Sequence, residues 1–142
     1  MKKLFIAALF VVAASASAFA ADGKSIILKA KYNFDSQFSG AENVQWNATE
    51  NYIRAKFILA DEPVEAFFGL NGDFIGASRK ITLKSLPLSA LQTLKKKYAD
   101  YKVTDTIEFD RGDEKSYYVS IDNGKQKQIL QVSVYGEVSR FK

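Results

Sequence analysis

One succession of patterns occurs twice in this chain, and it limits the folds open to it more than any single motif does. In the first half an apolar-rich segment at residues 25–38, SIILKAKYNFDSQF, runs into the small-residue break Ser39-Gly40-Ala41. A helix is expected in the second half of that segment, with Gly40 as its C-terminal cap because glycine takes positive φ without a Cβ clash. The period then drops to two. Val44 and Trp46 alternate with Asn43, Gln45 and Asn47, and YIRAKFILA places Ile53, Ala55, Phe57 and Leu59 on one strand face. Asp61-Glu62-Pro63 punctuates the chain. Val64, Ala66, Phe68 and Leu70 alternate again up to Asn71-Gly72-Asp73, a hairpin signal because its central positions tolerate positive φ, and a further strand is expected over 74–81.

The second half repeats the order. LKSLPLSALQTLKKKYADY spaces Leu88, Leu91, Leu94, Lys95 and Tyr98 three and four apart, with Pro87 near the first turn, Ser85 as a cap and a stop near Ala99 or Asp100. Val103, Asp105, Ile107 and Phe109 then share one strand face, Arg111-Gly112-Asp113 turns, and Tyr117, Val119 and Ile121 form the next strand. Asp122-Asn123-Gly124-Lys125 is a second hairpin signal, followed by a strand over 128–135 with Leu130, Val132 and Val134 facing one way. Tyr135-Gly136-Glu137 turns the chain into a last short strand. Each half, about 25–82 and 83–142, is thus one helix followed by an antiparallel meander of about four strands. Neither half could cover the apolar face of its own sheet, so the two are expected to share a core in one α+β domain.

The first twenty residues, MKKLFIAALFVVAASASAFA, have two lysines, an apolar run over 4–14 and the sequence Ala18-Phe19-Ala20. That is the pattern of a signal peptide at 1–20, cut to leave Ala21 first. The apolar run is shorter than the roughly twenty residues a membrane span needs, so no membrane insertion is expected after cleavage. Removing 20 of the 142 residues leaves 122, enough to bury about two thirds of the surface of the unfolded chain without a metal or disulfide. There is no cysteine, which excludes disulfides and a lipidated N-terminal Cys. The formal charge of +4 falls to +2 once Lys2 and Lys3 leave. The basic run Lys95-Lys96-Lys97 sits at a helix end, where cations complement the helix dipole, and nucleic-acid binding is not expected.

Taken together, FSGAENVQW, YIRAKF, VEAFFGLNGDFIGASR, SLPLSALQTLKKKYADYKV and SYYVSIDNGKQKQILQV, behind a signal peptide, resemble the PepSY-like, β-lactamase-inhibitor-like periplasmic proteins of Bacteroidetes. The likeness spans nearly the whole mature chain. It implies a single PepSY-like domain over 21–142, with tandem helix-plus-antiparallel-meander units and helices packed on one face of the sheet. It further implies a periplasmic or secreted address, a second sheet face free for a partner, and inhibition or regulation of an envelope or secreted enzyme as the class of activity.

Reactive groups are few. Without His or Cys the commonest general base, the imidazole and thiolate zinc ligands and the Ser-His and Cys-His pairs are all missing. The 16 acidic residues fall mostly at turns, where carboxylates are solvated. Ser139-x-x-Lys142 ends the chain instead of opening a buried helix, and Asn71-Gly72-Asp73 offers too few oxygens for calcium. The expectation is therefore a non-enzyme with no catalytic, cofactor-binding or metal-ligating residue.

Aromatic residues are plentiful: 11 Phe, 7 Tyr and 1 Trp. Trp46, on the Val44 face, is expected in the core. If Ile53, Ala55, Phe57 and Leu59 face the helices, then Tyr52, Arg54, Lys56 and Ile58 lie opposite, joined by Phe67 and, in the second half, by Tyr118 and Tyr135. Tyr52, Arg54, Lys56, Phe67, Tyr118 and Tyr135 are thus the candidate partner-binding residues, since aromatic and Arg anchors dominate protein interfaces. Ordinary cross-strand pairing on a half-exposed sheet accounts for the same residues and stays open. The functional expectation is an exported protein- or peptide-binding module whose partner is an envelope protein or peptide; the alternative is a carrier or sensor of a small apolar ligand held between sheet and helices.

Overall fold

The computed structural model describes residues 23–142, and the expected signal peptide lies outside the described residues. Helix α1, Gly23–Gln37, fills the whole of the first segment and not its second half alone. Its inward stripe is Ile26, Ala30, Phe34 and Phe38, spaced by four, with Ala30 and Phe34 fully in the core. Ala30 carries the continuity that a reading of large apolar residues misses. Gly40, at φ 85°, closes the helix in the left-handed region as its sequence position requires.

Eight strands follow: β1 Glu42–Ala48, β2 Ile53–Leu59, β3 Glu62–Phe68, β4 Phe74–Lys80, β5 Lys102–Asp110, β6 Lys115–Asp122, β7 Lys127–Ser133 and β8 Val138–Arg140. They form one sheet in chain order, every neighbouring pair antiparallel. Between β4 and β5 lie a 3₁₀ turn, Leu83–Ser85, and helix α2, Leu88–Lys97. The architecture is α+β, tandem helix-plus-meander units with the helices on one face of an open antiparallel sheet.

The core follows the pleat. Ile53, Ala55, Phe57, Ala66 and Phe68 meet α1, and Phe34 sits 5.1 Å from Trp46, 5.0 Å from Phe57 and 5.3 Å from Phe38, ring to ring. Trp46 is therefore part of the core, as its strand face predicts. Under α2 lie Val119, Ile121, Leu130 and Val132, packed on Leu86, Ala90 and Leu94. Leu88, which the periodicity puts in the stripe, is 72% exposed, and Ala90 takes the inward position.

Several local expectations are corrected. The β2–β3 turn is Ala60-Asp61, both at positive φ (50° and 65°), so Glu62 and Pro63 belong to the strand and Pro63 pairs with Ile58. Ser85 ends the 3₁₀ turn and caps nothing; Pro87 occupies the cap position of α2 without a side-chain cap bond. α2 stops at Lys97, with Tyr98 as its C-terminal cap. A bulge between Val103 and Asp105 splits their expected common face: Val103 pairs with Ile121 on the helix side, whereas Asp105 pairs with Ser120 on the other. β7 ends at Ser133, leaving Val134 and Tyr135 in the turn.

Over β3 to β6, at the junction of the two units, the helix side turns from rings to charge. Arg79 holds Glu62 at 2.7 Å and Glu108 at 3.1 Å, and Lys115 approaches Glu108 at 3.6 Å and Asp110 at 3.7 Å. The hydrogen bonds from Arg79 to Glu62 and Glu108 raise its pKa further. Each charge in this ladder has an opposite neighbour.

Replacing Phe34 by Ala is expected to cost about 3–5 kcal/mol, as for a large ring removed from a packed core. Replacing Tyr32, two residues earlier on the opposite side of the helix and 81% exposed, should change stability by no more than about 0.5 kcal/mol. Urea denaturation of the two variants beside the parent measures both.

Candidate functional site: the helix-free face of the sheet

The residues between the inward-facing ones must point the other way, because successive side chains alternate across a strand. On β2 these are Arg54, Lys56 and Ile58; on β3, Glu65 and Phe67. Phe67 stands opposite Arg54 on one side and Gly76 on the other. On β5 and β6 the same face carries Ile107, Phe109 and Tyr118, with Ile107 opposite Tyr118. Among the described residues no helix packs here. Phe67, Ile107, Phe109 and Tyr118 instead form a cluster of their own, flanked by Tyr52, Ile75, Ile129 and Phe141.

A glycine makes that cluster possible. A Cβ on Gly76 would fall 2.6 Å from Cζ of Phe109, so the Phe109 ring occupies the space that any other residue's side chain would need. The ring reaches across β4 to within 6.2 Å of Phe67, while Tyr52 meets Phe67 at 5.7 Å and Phe141 meets Tyr118 at 5.3 Å. Arg111 lies over the Phe109 ring, its guanidinium carbon 5.5 Å from the ring centre, a cation–π arrangement.

Five of the six sequence candidates fall into three groups. Phe67 and Tyr118 are on the expected face but buried within it, 4% and 1% exposed, so they shape the surface from beneath. Tyr52 and Lys56 are on the same face and partly exposed. Tyr135 is elsewhere: it lies in the β7–β8 turn, 84% exposed, and its carbonyl accepts a hydrogen bond from Ser89 Oγ at the start of α2. The expected strand over 128–135 ends two residues too early to carry it outward on the sheet. Sequence reasoning missed Ile107, Phe109, Ile129 and Phe141. The signal was available for Ile107 and Phe109, whose alternation was correctly read, but the bulge at Val103 hid which face they share.

Arg54 is the sixth candidate and has an unusual setting. It is 9% exposed, and its Nε is buried with no hydrogen-bond partner among the described residues. Its nearest acid, Glu65, is 3.9 Å from Nη1, beyond hydrogen-bond reach, and Glu65 is held more closely by Lys56 at 3.3 Å. An unmet buried donor of this kind costs about 1–3 kcal/mol. A cleft of about 310 Å³, which Arg54 does not line, opens between Lys56, Pro63, Glu65, Lys80, Asp105 and Ile107, with Lys80 and Asp105 paired at 3.5 Å. The described residues contain no cluster of acids that could hold a metal ion, and no helix among them is long and apolar enough to cross a membrane.

Neither a family model nor a curated protein matches the chain. Solved structures do. A DUF2874 family protein of Bacteroides uniformis superposes with TM-score 0.71 at 14% identity, covering 79% of this chain and 85% of that one. A BLIP-like protein of Bacteroides fragilis gives TM-score 0.69 at 16% identity, covering 79% and 82%. The chain shares their fold. A protein of Bacteroides eggerthii provisionally named periplasmic matches equally well, with TM-score 0.69, 14% identity and coverage of 79% and 84%. The resemblance to β-lactamase-inhibitor-like proteins of Bacteroidetes thus holds at the level of architecture.

Burial raises the pKa of Tyr118 above its ordinary value of 10.0, against smaller opposing effects from Arg111 and a hydrogen bond with Ser116. The folded state therefore keeps its phenolic proton to higher pH than the unfolded chain does. This contribution to stability is intact below about pH 10 and declines as the pH rises toward the folded-state pKa. Thermal melts between pH 8 and 11 should show an alkaline loss of stability that shrinks in Tyr118→Phe.

Proposed function

We propose that this chain is an exported, non-enzymatic module that binds another envelope protein or a peptide through the helix-free face of its sheet, in the periplasm or after secretion. The observation that carries this reading is the ring cluster on that face, with Tyr52 and Lys56 at its surface and Arg54 incompletely paired beside them. Aromatic and Arg side chains gathered in one patch are what binding energy concentrates on. The absence of His and Cys from the whole sequence supports a non-enzyme, since it withdraws the usual acid–base and nucleophilic groups. The signal-peptide pattern of residues 1–20 and the architecture shared with a BLIP-like protein and with one provisionally named periplasmic support the address. Inhibition or regulation of an envelope or secreted enzyme is a partner relationship this reading includes.

The rival assignment, a carrier of a small apolar ligand between sheet and helices, is less favoured. Under α1 that space is filled by Phe34, Phe38, Trp46, Phe57 and Phe68 in mutual contact.

Charge reversal at exposed positions tests the docking face without touching its buried rings. The double variant Lys56→Glu, Lys80→Glu, which sets like charges beside Glu65 and Asp105 and so lowers the melting temperature modestly, is expected while still folded to lower recovery of a specific envelope partner in a pull-down by about tenfold or more. The matched variant Lys95→Glu, Lys96→Glu, on the last turn of α2, should recover that partner like the parent. Undiminished recovery by the first variant, or loss with the second alone, places binding on another surface.

A further inference from the structure

The geometry points to a ligand site in the second unit: the cleft at the last turn of α2 takes a small apolar carboxylate, the chemistry of a medium-chain fatty acid. It lies on the helix side of the sheet and does not rest on the docking reading above. Backbone hydrogen bonds align the two units. At the end of α1 the Phe38 N–H donates to the carbonyl of Phe34 and the Ala41 N–H to that of Phe38; at the end of α2 the Tyr98 N–H donates to Leu94 and the Tyr101 N–H to Tyr98. The strands continue the match, since Trp46 pairs with Ala55 as Thr106 pairs with Val119, and Glu42 with Ile58 as Lys102 with Asp122.

Phe34, Trp46 and Phe57 of the first unit therefore correspond to Leu94, Thr106 and Ile121 of the second. In the first unit Trp46 and Phe57 pack on Phe34 at 5.1 and 5.0 Å and fill the space. The smaller side chains of the second leave an open cleft of about 330 Å³, walled by Leu91, Leu94, Tyr98, Tyr101, Val103 and Ile121. At roughly 30 Å³ per heavy atom this holds a ligand of about eleven heavy atoms, toward the lower limit for ligand pockets.

Charge identifies one end of that ligand. Lys95 is the one charged residue on the lining, and it forms no ion pair among the described residues. The first unit again supplies the contrast: the positions of Leu91 and Lys95 are there Lys31 and Asp35, which pair with each other at 3.1 Å. Complementing the helix dipole accounts for cations on the last turn of α2, but not for the loss of this acid–base pair beside an apolar wall. A carboxylate at Lys95 gains a charge-assisted hydrogen bond while its chain removes the cleft's apolar side chains from water.

The test titrates octanoate and its uncharged isostere octanamide, below micelle-forming concentrations, into the folded protein while methyl resonances are followed by ¹³C NMR. Octanoate is expected to shift Leu94, Val103 and Ile121 saturably, to bind about fivefold or more tightly than octanamide, and to lose most of this advantage with Lys95→Gln. Leu94→Phe, which restores the ring of the first unit, should abolish both titrations. The comparison of two ligands on the parent chain does not depend on how that variant folds. The docking variant Lys56→Glu, Lys80→Glu should bind octanoate like the parent, so either reading can fail without the other. Equal affinity for the two ligands, shifts confined to Ile107 and Ile129 on the helix-free face, or no saturable shift overturns the site. Tighter binding of the blocked peptide Gly-Leu-Asp-Leu-Gly than of octanoate assigns the cleft to a partner chain and overturns it as well.

Discussion

An antiparallel strand sends its side chains to two faces in strict alternation, and among the described residues helices cover only one of them. Everything else follows from how the two faces meet that demand. On the covered face α1 and α2 each close over the strands of their own unit, and ring contacts at about 5 Å around Phe34 fill the space. The other face has to bury its apolar residues by cross-strand packing, which the sheet achieves by leaving Gly76 without a side chain and laying Phe109 across it. Chain-order pairing of eight strands brings β3, β4 and β5 side by side, so that Phe67 and Phe109 meet over the bare Gly76 between them.

Helix burial and charge are distributed accordingly. Where the cover of the helices gives way over β3 to β6, an alternating ladder of acids and bases takes their place and is internally balanced. The edges of the sheet are blunted: β8 has three residues, and β1 is broken by a register shift near Asn43, at φ 53°. Edge-to-edge pairing is thereby discouraged.

Much of this was legible in the residues. Period-two alternation in YIRAKFILA and in Tyr117, Val119 and Ile121 gave the inward faces correctly, Gly40 and Gly72 marked positive-φ turns, and Trp46 was assigned to the core from its partner Val44 alone. The misplaced residues share one cause. Tyr135, Asp105 and Leu88 each lie within two residues of a strand end, a bulge or a helix start, where a shift of one position reverses the face.

The sequence by itself determined the order of elements, the inward set of each regular strand and the lack of imidazole or thiolate chemistry, since these depend on local periodicity and composition. Only the tertiary structure decided that Phe67 and Tyr118 would be buried on a face without helices, that Phe109 would lie against Gly76, and that Arg54 would sit among them with its Nε unpaired. Burial is a property of neighbours brought from other strands, and no stretch of chain can specify how much water those neighbours leave around it.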